Sequence, residues 1–174
     1  MFYRITFFVG ILIFLGGCKG IDPYEGFKAY YFGDYQKALS IYSEACDAGD
    51  AFMCHSIGGM FENGLAVKQD YRKAYKYYVM ACQNGIPQSC AALAGLYREG
   101  KGIRYDLQKT LEYYLMSCDQ DLALGCYSAG VMYYNKQGGI QEDKKLTKEL
   151  FGKACDLGDN KACSIYKSLS EAGY

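Results

Sequence analysis

Along residues 34–170, small and aromatic side chains recur at helical spacing between charged ones, and the arrangement returns every 36 or 37 residues. Eight residues before Cys46, Cys82, Cys118 and Cys155 stand Ala38, Ala74, Thr110 and Thr147. Four before them stand Tyr42, Tyr78, Tyr114 and Phe151, and one before them Ala45, Ala81, Ser117 and Ala154. Positions so spaced share one face of a helix. Small, ring, small predicts a helix that a neighbour can approach closely, with one ring filling the gap. Asp34, Asp70, Asp106 and Asp143, each twelve residues before its cysteine, are suited to cap the start. Four and seven residues after Cys54, Cys90 and Cys126 come Gly58, Ala94 and Gly130, then Phe61, Tyr97 and Tyr133, which predicts a second helix of the same design. Asn63-Gly64, Glu99-Gly100-Lys101-Gly102 and Lys136-Gln137-Gly138-Gly139 break that helix before the next Asp. The chain therefore reads as all-α, and a period in the range of roughly 20–50 residues marks stacked supersecondary units.

The cysteines carry the same period: Cys46/Cys54, Cys82/Cys90, Cys118/Cys126 and Cys155/Cys163. On one straight helix, residues eight apart are separated by about 12 Å along the axis, whereas a disulfide needs Cα atoms within about 7 Å. If each pair is bridged, the helix must end and reverse between its members. Turn residues stand there: Asp47-Ala48-Gly49-Asp50, Asn84-Gly85-Ile86-Pro87, Asp119-Gln120-Asp121 and Asp156-Leu157-Gly158-Asp159. Eight cysteines admit many connectivities. If each unit is the same structure, pairing within the unit is the simplest assignment. A zinc site would want Cys-x-x-Cys spacing or several histidines, and His55 is the only one. No thioredoxin-like Cys-x-x-Cys occurs, and nothing in these motifs requires a cofactor or metal.

Cys18 stands outside the series. A basic start with Arg4, an apolar run from Ile5 to Leu15, and Leu15-Gly16-Gly17-Cys18 precede the repeats. The run is too short for a spanning helix. It resembles a bacterial lipoprotein signal, with residues 1–17 removed, Cys18 acylated and residues 18–23 a short tether. Lys19 follows rather than the Asp that often retains such proteins in the inner membrane, so the resemblance implies an exported lipoprotein, with the outer membrane favoured. An exported chain keeps paired cysteines as disulfides.

Two prolines, no tryptophan and 51% apolar residues fit helices throughout. Without residues 1–17 the chain has 18 basic and 19 acidic residues, a net charge of −1. That balance lacks the basic excess a phosphate backbone would draw on, so nucleic acid is excluded as a partner.

Lys73-Ala74-x-x-Tyr77-Tyr78-x-x-Ala81-Cys82, followed by Leu93-Ala94-Gly95-Leu96-Tyr97-x-x-Gly100-x-Gly102-Ile103, resembles the Sel-one-like repeat, a relative of the tetratricopeptide repeat, in its cysteine-rich bacterial form. The resemblance covers about residues 34–170 and implies an α/α superhelical solenoid with disulfide-stapled helix hairpins. The units are expected at residues 34–69, 70–105, 106–142 and 143–174, preceded by a half-unit at 24–33, about nine helices in all. Lys167 and Ser170 stand where other units carry a small residue and a ring, which suggests a polar cap.

Such solenoids bind partners on variable positions, and the resemblance implies an envelope protein, an extended peptide or a cell-wall fragment as ligand. Tyr75 aligns with Leu39, Leu111 and Lys148, and Tyr77 with Ile41, Tyr113 and Leu150. These rings, with Arg72, Lys76 and Glu112 on the polar side of the same helices, are the candidate binding residues. Cysteine-rich members are also described as penicillin-binding proteins or β-lactamases. Here that reading finds only Ser164-Ile165-Tyr166-Lys167 as a Ser-x-x-Lys element, without Lys-Thr-Gly or Ser-Asp-Asn companions. No catalytic residue is assigned.

Overall fold

The computed structural model describes residues 22–141 and 143–173, so the expected signal and Cys18 lie outside the described residues. Among the described residues there are nine α-helices and no strand: α1 (Pro23–Tyr31), α2 (Tyr35–Asp47), α3 (Ala51–Asn63), α4 (Tyr71–Gln83), α5 (Pro87–Glu99), α6 (Leu107–Asp119), α7 (Ala123–Tyr134), α8 (Lys144–Asp156) and α9 (Asn160–Glu171). Each packs on the next, so contacts run along the chain as in a stacked array. No helix among the described residues is long and apolar enough to cross a membrane.

Caps fix where the helices start. Asp34, Asp70, Asp106 and Asp143 accept hydrogen bonds from first-turn backbone N–H groups of α2, α4, α6 and α8. Asp22, Asp50 and Asp159 do the same for α1, α3 and α9, while Pro87 opens α5 behind Ile86. Gly64 and Gly100 end α3 and α5 in the left-handed region. The third linker differs. Its extra residue is taken up after α7 by a short 3-10 turn, Gln137–Gly139, entered through Lys136 at φ 51°.

The turns between paired cysteines reverse the chain, and four disulfides close them: Cys46–Cys54 and Cys82–Cys90 with Cα atoms 4.9 Å apart, Cys118–Cys126 at 4.4 Å and Cys155–Cys163 at 4.5 Å. Three of the four turns use a glycine at positive φ, Gly49, Gly85 and Gly158; the third uses Asp121 at φ 60°. Asp tolerates that region better than most residues.

Ala38, Tyr42 and Ala45, and their counterparts in α4, α6 and α8, are all buried. Thr110 and Thr147 replace the alanines in the last two units and satisfy their hydroxyls by donating to Asp106 O at 2.8 Å and Asp143 O at 2.6 Å. The rings meet the small residues of the preceding helix: Tyr42 against Gly26, Tyr78 against Gly58 and Phe151 against Gly130. Thus α1 packs on α2 as α3 does on α4. The buried residues form three clusters, joined where Phe61 and Tyr113 each touch two of them.

Candidate functional site

Odd- and even-numbered helices form two layers. In the odd layer successive helices meet directly: α5 touches α7, and His55 of α3 shares a 2.7 Å hydrogen bond with Ser89 of α5. Direct contact between alternate helices marks the shorter radius of curvature, so this is the inner layer.

The predicted binding rings lie between the layers. Tyr77 stacks on Phe61 with centroids 5.7 Å apart, and one repeat later Tyr113 stacks on Tyr97 at 5.6 Å. Lys73 adds its ammonium 5.1 Å from the Phe61 centroid. Tyr75 meets the same Tyr97 edge-on, their hydroxyls 3.2 Å apart. The structure therefore brings Tyr75 and Tyr113 together around Tyr97 and leaves Tyr77 one repeat away. All three are half-buried. Burial, with Tyr75 adding to it, pushes the Tyr113 phenol up to about 12. Burial likewise raises Tyr97, with Tyr75 the next cause. Arg72, Lys76 and Glu112 are exposed, and Glu112 pairs with Lys109 at 2.7 Å.

The hollows on the inner layer escape the sequence reading. One of about 250 Å³ lies between α1 and α3, walled by Phe27, Tyr30 and Tyr42 and floored by His55, Ser56 and Gly59. A second, of about 290 Å³, lies between α7 and α9, lined by Val131, Tyr134, Phe151, Ile165 and Leu169 with Ser164 and Ser168. Ser56 and Gly59 are the second and fifth residues after Cys54; Ile165 and Ser168 hold the same places after Cys163, and Val131 the fifth after Cys126. Ala92 and Gly95 occupy these places on α5, and Ser128 on α7. The repeat thus carries a floor of small residues along its inner layer with an apolar hollow at each end. The signal was the shortness of Ser56, Gly59, Ala92, Gly95, Ser128 and Ser168, two or five residues after the second cysteine of a pair, with Val131 and Ile165 the exceptions that line the second hollow.

His55 forms part of the first hollow. Its imidazole sits 5.5 Å from the Tyr78 ring, and burial lowers its pKa, with Glu62 partly opposing. Tyr78 in turn donates to Glu62 Oε2 at 2.6 Å, and burial, reinforced by Glu62, raises its pKa.

A larger hollow of about 630 Å³ opens at the far end against α8 and α9, lined by Lys144, Lys145, Lys148, Lys153, Glu149 and Tyr166 among others. Tyr166 holds the place of the buried Ile57, Leu93 and Ala129 of earlier units, so this is the surface a further helix would cover. Lys167 and Ser170 are exposed there. Ser164 Oγ donates to Asn160 O at 3.1 Å, and Lys167 lies 4.0 Å from Glu171. Among the described residues no group of three His, Cys, Asp or Glu side chains is placed to hold a metal.

Two-layered helical hairpins, repeated at 36 or 37 residues, define a superhelical repeat solenoid. The Sel1 repeat matches residues 24–50, 51–86, 87–122 and 123–159, and the chain belongs to that family. These repeats run from an inner helix to the next outer one and divide the chain between paired cysteines; the units beginning at the Asp caps contain the same helices in another phase. The chain is similar to a Sel1 repeat protein from Oxalobacter formigenes (21% identity, TM-score 0.77), covering 83% of this chain and 59% of that one. It is also similar to a protective antigen of uropathogenic Escherichia coli with an SLR fold (24%, 0.76), covering 87% and 34%. It thus spans less than two thirds of the length of either. With Helicobacter pylori cysteine rich protein B it shares 30% identity over 76% of this chain and 94% of that one, at a TM-score of 0.60. No curated protein matches it.

Proposed function

We propose that the chain is an exported, lipid-anchored scaffold of the bacterial envelope whose inner layer holds an extended segment of a protein partner. Sel1 repeats generally serve protein–protein interaction, and four disulfides are of the kind that persists in an oxidising compartment. The observation that carries the reading is the pair of hollows on one layer, between α1 and α3 and between α7 and α9, joined by small side chains. An extended backbone can lie close over such a floor and place one apolar side chain in each hollow. The rings at Tyr75, Tyr77 and Tyr113 then act as the spacers that hold the layers apart, with Arg72, Lys76 and Glu112 on the outer face. Export and anchoring rest on the signal-like residues 1–17 and Cys18.

A photoreactive residue placed at Ser56, Tyr134 or Lys76 in intact cells tests this. Adducts with one protein partner from Ser56 and Tyr134, and none from Lys76, are expected. Adducts from Lys76 alone would move the docking face to the outer layer and overturn the reading.

A further inference from the structure

The solvent side of α1 departs from that of its equivalents. With Gly26 aligned on Gly58, the places held on α3 by Ser56, Gly59 and Asn63 are held on α1 by Tyr24, Phe27 and Tyr31. Gly26 and Ala29 are buried against α2, and Tyr24 and Tyr31 project from the opposite side, 69% and 84% exposed. Phe32, at the end of the helix, is 75% exposed and meets Tyr31 edge-on. Helices elsewhere in the array put Arg72 and Lys76, or Lys109 and Glu112, into solvent. Water solvates an aromatic helix face poorly, and a contiguous patch of this kind marks a surface that is covered.

We propose that the part of this face formed by Tyr24, Tyr31 and Phe32, beside Phe27 in the hollow, lies in the headgroup region of the membrane to which the chain is tethered. The inference rests on the proposed acylation of Cys18, and the tether selects the occupant. Pro23, the first residue of α1, is five residues beyond Cys18, a reach of about 18 Å at full extension. A helix with its side chains is about 10–12 Å across, so α1 is held within little more than its own width of the acyl chains. Tyrosine and phenylalanine favour the boundary between headgroups and hydrocarbon, where the ring is dry and a hydroxyl stays wet. Lys28, beside Tyr31 on the helix and paired with Glu25 at 3.7 Å, can extend its ammonium toward lipid phosphates. The anchor and the rings together form a two-part attachment to the bilayer.

The chain has no tryptophan, which supplies the probe. The full chain carrying Tyr31→Trp, and a control carrying Tyr134→Trp on α7, are purified from membranes and reconstituted into vesicles of brominated phosphatidylcholine. Mass spectrometry of the N-terminal peptide reads acylation of Cys18. Expected are a blue-shifted, strongly quenched emission from Tyr31→Trp and an unquenched one from Tyr134→Trp. An acylated protein whose Tyr31→Trp emission is unquenched, or quenched no more than the control, overturns the inference and leaves the anchor standing. A blue shift without quenching that grows with protein concentration assigns the face to a second copy of the chain and also overturns it. An unmodified Cys18 overturns anchor and inference together.

Discussion

The ring of Tyr78 occupies the space that a side chain at Gly58 would need: a Cβ there would stand 2.6 Å from two of its carbons. The contact joins α3 to α4, and the same arrangement joins α1 to α2 through Gly26 and Tyr42. Gly58→Ala must therefore push the ring or the helix aside, and it is expected to destabilise the fold by about 1–3 kcal/mol. Gly95 is also in a helix, but a Cβ there meets nothing within 4 Å. Gly95→Ala is expected to stabilise by about 1 kcal/mol through helix propensity alone. Urea unfolding of the two variants beside the parent checks both signs.

Each disulfide closes a short loop between two helices. On the chain-entropy account such a loop contributes about 2.5 kcal/mol by restricting the unfolded chain. Replacing Cys82 and Cys90 together by alanine is expected to lower unfolding stability by about that amount. Access to reductant differs along the array. Six of the bridged cysteines are buried, while Cys155 and Cys163 at the capping end are only half-buried. Limited reduction followed by alkylation and mass mapping is expected to label Cys155 and Cys163 first. Earlier labelling of Cys82 or Cys90 would contradict the burial order.

How far the chain could be read depended on which positions are forced to be the same in every unit. Asp70 caps, Gly58 admits Tyr78, and Cys82 reaches Cys90 only across a reversal; each of these is a local requirement that any unit must meet, so repetition exposes it. The proposed docking layer follows no such rule. Tyr75, Tyr77 and Tyr113 vary between units and so resemble ligand-facing positions; in the fold each also packs on a ring of an inner helix, Tyr77 on Phe61 and Tyr75 and Tyr113 on Tyr97. The inner floor is written in Ser56, Gly59, Ala92 and Gly95, side chains too small to announce a face. Which layer turns inward depends on helix-to-helix contacts such as His55 with Ser89, across 34 residues.

His55 links two inner helices through its hydrogen bond with Ser89. Burial holds its pKa below the ordinary 6.5, so the unfolded chain takes up a proton that the folded chain resists. Stability is then full above about pH 6.5 and falls as pH drops toward the lowered folded value. The measurement is a difference, so that other contributions cancel: urea midpoints from about pH 7.5 to 5.5 for the parent minus those for His55→Gln. The parent is expected to lose more stability than the variant over that interval. Equal losses would mean that His55 charges freely in the fold.

Ser164 and Lys167 have the spacing of a serine nucleophile and its partner, and their surroundings argue against that use. The hydroxyl donates to the Asn160 carbonyl one turn back at 3.1 Å, and the ammonium lies 4.0 Å from Glu171. An activated serine needs a base within hydrogen-bond reach and donors aimed at the developing oxyanion. Both side chains are exposed on α9, and Ser164 lies within the helix, where backbone N–H groups are engaged in helical bonds. The purified protein is therefore expected not to turn over a chromogenic cephalosporin, and Ser164→Ala is expected not to change that result. Hydrolysis abolished by Ser164→Ala would place chemistry at the capping helix and displace the scaffold reading.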